Sequence, residues 1–309
     1  MLTLIEQVLI FLIFAAAGYI LSKTKMITPE KSGILSRIIL FLFLPSTIIK
    51  SLAENFTVEK IRAEYQIILV ATIILVILLA VCFTVFKFIK MRQFTKNIFI
   101  YALVVPNYGY MGYALAEAIF GAQIEYYVIL FCLPLSIFTY TIGYCMLTSD
   151  DEDGFKITWN RFINPVFIST LIGIALGLLN LKLPEFIMDL LSKSAACTGP
   201  VSMILVGAVV AEFKFFELFK DWKAYIIVAF RNLIIPIAAC FILKSIKAAE
   251  LSLVPAIATL AMPCGSNTIV FSKLKGESSE PAASIVIIST LLSLITVPFC
   301  LYLTGTTIV

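Results

Sequence analysis

Apolar residues in this chain run in long unbroken stretches. They do not alternate with polar ones, so they predict helices rather than the strands of a membrane barrel. About 20 such residues cover the hydrocarbon core of a bilayer. That length divides the sequence into ten predicted spans: 3–22, 33–51, 65–89, 97–120, 125–147, 162–180, 188–211, 222–243, 252–273 and 281–303. The strongest is 65–89, which carries no charge from Gln66 to Phe86. The weakest are 188–211, with Asp189 and Lys193, and 222–243, with Arg231. The longest polar stretch runs only from Thr148 to Arg161, so no soluble domain is expected.

Composition agrees. Hydrophobic residues make up 61% and charged ones 14%, where a soluble domain has about 25% charged. Mean hydropathy is +1.04. A soluble globule of 309 residues cannot bury that much apolar side chain. A soluble enzyme, a nucleic-acid binder and a disordered chain are excluded, and the lipid bilayer is the expected surrounding. There is no histidine, which removes the commonest metal ligand and general base. The seven cysteines never form a C-x-x-C pair and read as small buried hydrophobes. No metal and no cofactor are expected. The N-terminal Met1-Leu2-Thr3 lacks a basic stretch, so the first span is expected to remain in the protein.

Lysine and arginine set the orientation. Fourteen lie in the loops after spans 1, 3, 5, 7 and 9, and six on the other side. This integral membrane protein is therefore expected to have both termini outside, with the acidic loop 148–161 in the cytoplasm.

Landmarks recur between the halves. Gly18, Pro29 and Pro45 return as Gly173, Pro184 and Pro200, each 155 residues later. The shift carries span 1 onto 6 and span 2 onto 7, and nearly the same shift carries span 4 onto 9. Five spans per half is an odd number, so the second half lies inverted. The expected organisation is a five-helix repeat over 1–147, a short loop over 148–161 and an inverted five-helix repeat over 162–309. Many secondary transporters are built this way.

Spans 4 and 9 are interrupted at matching places. One contains Pro106, Asn107, Tyr108 and Gly109, the other Pro263, Gly265, Ser266, Asn267 and Thr268. Proline removes a helical hydrogen bond and clashes with the preceding turn. Bare backbone at membrane depth is tolerated only inside protein or beside a wet cavity. Paired interruptions in two repeats point to a transport site. The half-helix N-termini offer N–H donors to an anion, and Asn107 and Asn267 add uncharged amides.

These motifs resemble the auxin efflux carrier family, which includes plant PIN-FORMED auxin exporters and bacterial malate or malonate permeases. The resemblance rests on Pro106 to Gly112 with Phe120-Gly121, on Asn164-Pro165, Gly177 and Leu183-Pro184, on Pro200 with Gly207, on Gly265-Ser266-Asn267, and on Ser289 to Ser293 with Pro298. It spans essentially the whole chain. It implies an all-α polytopic membrane protein of ten helices, similar in fold to sodium/proton antiporters and bile-acid transporters, with spans 4 and 9 crossing at the substrate site. It also implies that Asn107, Asn267 and the Pro45-Ser46-Thr47 face of span 2 contact a small organic anion, such as a dicarboxylate. The plant exporters' long cytosolic loop is missing here, so neither its regulation nor auxin as substrate carries over.

Charges within the spans leave alternatives open. Arg231 could meet the anion, pair with Glu117 or Glu6, or form a fixed structural pair. Glu6 and Glu117 are the carboxylates available for H+ coupling, while hydroxyls, amides and carbonyls could hold Na+. The expected function is secondary active transport of an organic anion by alternating access. A passive channel or a sensor on the same fold is the rival reading, and a homodimer stays open.

Overall fold

The computed structural model describes residues 2–148, 165–246, 250–274 and 280–305. The acidic loop from Asp150 to Asp153, and most of 148–161, lie outside the described residues. Within the described residues all regular structure is helical, joined by one isolated antiparallel bridge between Pro106 and Cys264.

The first half contains α1 (Leu2–Lys23), α2 (Pro29–Ile38), α3 (Leu44–Asn55), α4 (Val58–Phe88), α5 (Gln93–Val104), α6 (Tyr113–Phe120), α7 (Ala122–Phe138) and α8 (Tyr144–Thr148). The second contains α9 (Pro165–Leu178), α10 (Glu185–Ala196), α11 (Thr198–Val210), α12 (Phe215–Leu218), α13 (Trp222–Ala229), α14 (Ile235–Ser245), α15 (Glu250–Leu260), α16 (Asn267–Leu274) and α17 (Glu280–Leu303).

Local chemistry sets the ends of these helices. Thr57 caps α4 by accepting from the Lys60 amide, and Asp221 caps α13 by accepting from the Lys223 amide. Gly121, at φ +81°, ends α6 and starts α7 in a conformation that side chains disfavour. Two prolines explain two wide π-helical turns. Pro45 has no N–H for the carbonyl of Phe41, and the turn Ile39–Phe43 absorbs the conflict between α2 and α3. Pro236 stands in the same relation to Asn232 in the turn Phe230–Ile234 between α13 and α14.

Among the described residues, five helical runs are long and apolar enough to cross a membrane: Pro29–Asn55, Val58–Phe88, Ala122–Thr148, Glu185–Val210 and Trp222–Ser245. A sixth is the pair Glu280–Ser293 and Ile295–Leu303, bent by 59°. Four of the ten predicted spans are not among them. Spans 4 and 9 are each split into halves, of 12 and 8 residues (α5, α6) and of 11 and 8 (α15, α16), too short to cross singly. Spans 1 and 6 are represented by the shorter apolar helices Leu9–Lys23 and Pro165–Leu178. The outer surface fits a bilayer: Val76, Ile77 and Val81 of α4 are all more than half exposed.

Glycine permits two very close helix contacts. A Cβ added to Gly18 would lie 2.0 Å from the Ile204 carbonyl oxygen, and one added to Gly207 would lie 1.7 Å from that of Ala15. So α1 and α11 meet backbone to backbone. In the same way Gly173 and Gly177 of α9 press on Leu52 and Phe56 of and beside α3. At such interfaces packing rather than hydrophobic transfer drives association, because lipid is as apolar as the helix face.

Candidate functional site

The two sequence interruptions meet in space. After α5 the chain leaves the helix at Val105 and re-enters it through the π turn Tyr108–Gly112 leading into α6. After α15 it leaves at Ala261 and re-enters at Asn267. The extended pieces cross antiparallel. The Asn107 amide donates to the Pro263 carbonyl at 2.8 Å, and the Gly265 amide donates to the Val105 carbonyl at 3.0 Å. Gly265 is needed here, since a Cβ would stand 3.2 Å from two carbonyl oxygens.

Side chains of other helices satisfy further backbone groups at the crossing. The Cys264 amide donates to the Ser289 hydroxyl on α17 at 3.0 Å. Arg231, fully buried, donates from Nη1 to the Leu103 carbonyl at 3.2 Å and from Nη2 to the Thr259 carbonyl at 3.5 Å. Its neighbour Asn232 donates to the Ser289 carbonyl at 2.9 Å. Buried backbone must find such partners where no water competes.

A small polar cavity of about 10 Å³ sits at the crossing, lined among others by Asn107, Tyr108, Ser266 and Asn267. Room for about one water falls far below a small organic ligand. Asn107 Nδ2 donates to the Ser266 hydroxyl at 3.3 Å. Several polar atoms nearby have no hydrogen-bond partner: the hydroxyls of Tyr101, Tyr108, Tyr110 and Thr139, and Oδ1 of Asn267. The hydroxyls of Tyr101 and Tyr140 face the Asn267 side chain, that of Tyr108 faces Ser136 and Thr139, and that of Tyr110 faces Ser36. Buried polar atoms left unmatched are costly. A larger cavity of about 630 Å³ between α1, α11 and α17 is lined almost wholly by apolar side chains and supplies no such groups.

Seven residues singled out from sequence line the polar cavity: Pro106, Asn107, Tyr108, Gly109, Gly265, Ser266 and Asn267. Pro263 lies just behind it, with its carbonyl in the crossing ladder. Thr268 is buried and donates to the Gly265 carbonyl at 2.6 Å, so its hydroxyl belongs to its own turn. Ser46 and Thr47 are buried but off the cavity. Ser46 donates to the Leu42 carbonyl, and Thr47 to the Phe43 carbonyl while also meeting the Thr198 hydroxyl at 3.2 Å. Sequence reading missed Leu44, Tyr110 and Tyr140. Tyr110 stood inside the Pro106 to Gly112 motif and was legible there. Tyr140 comes from the π turn Thr139–Gly143, and nothing local marks it.

The acidic partners considered for Arg231 are elsewhere. Glu117 meets Lys50 at 3.6 Å with its side chain 43% exposed, and Glu6 is exposed. The distance in sequence was no guide, because the guanidinium points inward at two carbonyls. Among the described residues no three His, Cys, Asp or Glu side chains gather as a metal site.

Comparison with known proteins completes the description. Residues 3–301 match the family described as membrane transport protein. A Rhizobium meliloti protein named "Putative malonate transporter" is 24% identical over 297 residues, covering 93% of this chain and 91% of its own. An uncharacterized transporter of Methanocaldococcus jannaschii is 24% identical over 298 residues, covering 94% of this chain and 96% of its own. With that match running over nearly its whole length, the chain belongs to the membrane transport protein family, the auxin efflux carrier group that its crossing motifs resemble.

Proposed function

We propose that the chain is a secondary carrier for a small organic anion, with malonate or a similar dicarboxylate as the substrate to try first. The observation that carries this reading is the small polar cavity where two interrupted helices cross. Two half-helices begin there, at Tyr108 and Asn267, and helix N-termini attract negative charge. Asn107, Asn267 and the tyrosine hydroxyls add neutral donors. Neutral donors hold a carboxylate reversibly, which suits release on the far side. Malonate enters because a relative carries that name.

The same reading takes the chain as ten spans in two inverted five-helix repeats, 1–147 and 162–309, with both termini outside and the loop between them cytoplasmic. Paired contacts support it. Span 1 packs on span 7 through Gly18 and Gly207, and span 6 packs on span 2 through Gly173 and Gly177. An inverted repeat produces that exchange of partners, and Gly18 and Gly173 are 155 residues apart. Alternating access then opens the shut cavity to either side by moving one bundle against the other.

Counterflow of labelled malonate in proteoliposomes tests the reading. A carrier exchanges label against an internal pool, whereas a channel only equilibrates it. Asn107→Ala or Asn267→Ala is expected to abolish counterflow while folded protein is retained. Normal counterflow in both variants would remove the site. Repeating the assay under an imposed sodium or pH gradient separates Na+ coupling, H+ coupling and uncoupled movement.

A further inference from the structure

The crossing creates an electrostatic problem that Arg231 is placed to solve. Helix α5 ends at Val104 and α15 ends at Leu260, and Arg231 reaches a carbonyl in the last turn of each. Each C-terminal end carries roughly half a negative charge from its unmatched carbonyls. In a continuous helix the Leu103 carbonyl would receive the amide of Asn107, but that amide is diverted to Pro263. The Thr259 carbonyl would receive the amide of residue 263, but a proline stands there and has none, and it accepts instead from the Met262 amide at 3.2 Å, with a lone pair left for the guanidinium. These two carbonyls are the ones the guanidinium reaches, one from Nη1 and one from Nη2. Among the described residues no carboxylate accepts from Arg231, and its Nε has no hydrogen-bond partner. Two half-charges thus face one full positive charge in a site closed to water.

We propose that Arg231 is the positioning residue of the transport site: it clamps the C-terminal ends of both crossing half-helices and cancels their negative charge. With those ends neutralised, the N-terminal ends at Tyr108 and Asn267 dominate the cavity with positive potential, and the site selects anions. Arg231 does this without touching the substrate. The π turn Phe230–Ile234 is the local device that aims it, turning Arg231 and Asn232 inward as consecutive residues. The selectivity half of the proposal rests on the anion-carrier reading above, whereas the clamp does not.

The experiment therefore has two arms, both on the full chain. The first compares the thermal melting of the parent, Arg231→Met and Arg231→Lys. Arg231→Met keeps an unbranched side chain of similar length but leaves the Leu103 carbonyl without a donor, and it is expected to lower the melting midpoint by several degrees. Arg231→Lys is expected to fall between the two, because a single ammonium serves only one of the carbonyls. A midpoint in Arg231→Met equal to the parent's would overturn the clamp, since replacing a merely packed arginine leaves no carbonyl bare. Should Arg231→Met fail to fold, Arg231→Lys decides alone, and a midpoint equal to the parent's overturns the clamp.

The second arm measures malonate counterflow. Arg231→Met is expected to raise the malonate KM about ten-fold, on the scale of helix-end charge effects, with a smaller change in maximal rate. Arg231→Lys, which keeps the charge, is expected to recover most of that loss in KM. An equal KM in the Met variant and the parent would overturn the electrostatic role. If the parent itself moves no malonate, the substrate reading fails, and the melting comparison still decides the clamp.

Discussion

The tightest glycine contact among the described residues makes a sharp test of the fold. Gly207→Ala adds one methyl group between α11 and α1. Its carbon would sit 1.7 Å from the Ala15 carbonyl oxygen and 2.7 Å from the carbonyl carbon, where ordinary contact begins near 3.4 Å. The helices must part by about 1.7 Å along that line. The obstacle is backbone, which cannot swing aside as a side chain does. Overpacking against yielding side chains costs about 1–3 kcal/mol; a rigid carbonyl puts this substitution at about 3 kcal/mol or more. Separation also loosens Gly18 from Ile204 on the same face, and it forfeits dispersion along the whole seam. The assay is the thermal midpoint of purified protein in detergent, read by loss of monodisperse material. A drop of about 5 °C or more is expected. A midpoint within about 1 °C of the parent would show that α1 and α11 do not meet backbone to backbone, and the contact shared by the two halves would fall with it.

Further outcomes follow from the same geometry. Gly33→Ala, in the exposed middle of α2 with nothing near its new methyl group, is expected to raise the thermal midpoint, by the roughly 0.5–1 kcal/mol that alanine gains over glycine in a helix. Ser289→Ala strips the acceptor from the Cys264 amide at the crossing and is expected to cost about 1–3 kcal/mol, again read by melting. Tyr110→Phe removes a buried hydroxyl that has no partner in the shut state. It is therefore expected to leave melting unchanged or slightly raised while increasing the malonate KM several-fold. A lowered midpoint would show that the hydroxyl is bonded in the shut state.

Much of this protein was legible because its determinants are local. Continuous apolar runs of bilayer length mark the spans. Pro106 and Pro263 each remove an N–H from a helix at a known residue, so both interruptions could be placed without coordinates. The equal spacing of Gly18 and Gly173 and of Pro45 and Pro200 is the sequence ground for the repeat proposed above. The hydroxyls of Ser46, Thr47 and Thr268 were less legible. A hydroxyl in a membrane helix can bond back to its own turn or face a ligand, and the sequence is the same in both cases. Here all three bond to their own turns.

What only the tertiary structure decided are the encounters between distant residues. Pro106 and Cys264 are 158 positions apart, and no local rule states that their backbones pair. Tyr140 enters the cavity from a different helix, and Arg231 finds two carbonyls rather than the acidic partners its charge suggested. The physical reason is the same in each case. The backbone chemistry of one residue acts within a turn or two of its own position. The partner of an orphaned carbonyl, amide or hydroxyl is whatever donor or acceptor the packed helices bring within about 3 Å, and only the folded chain chooses that.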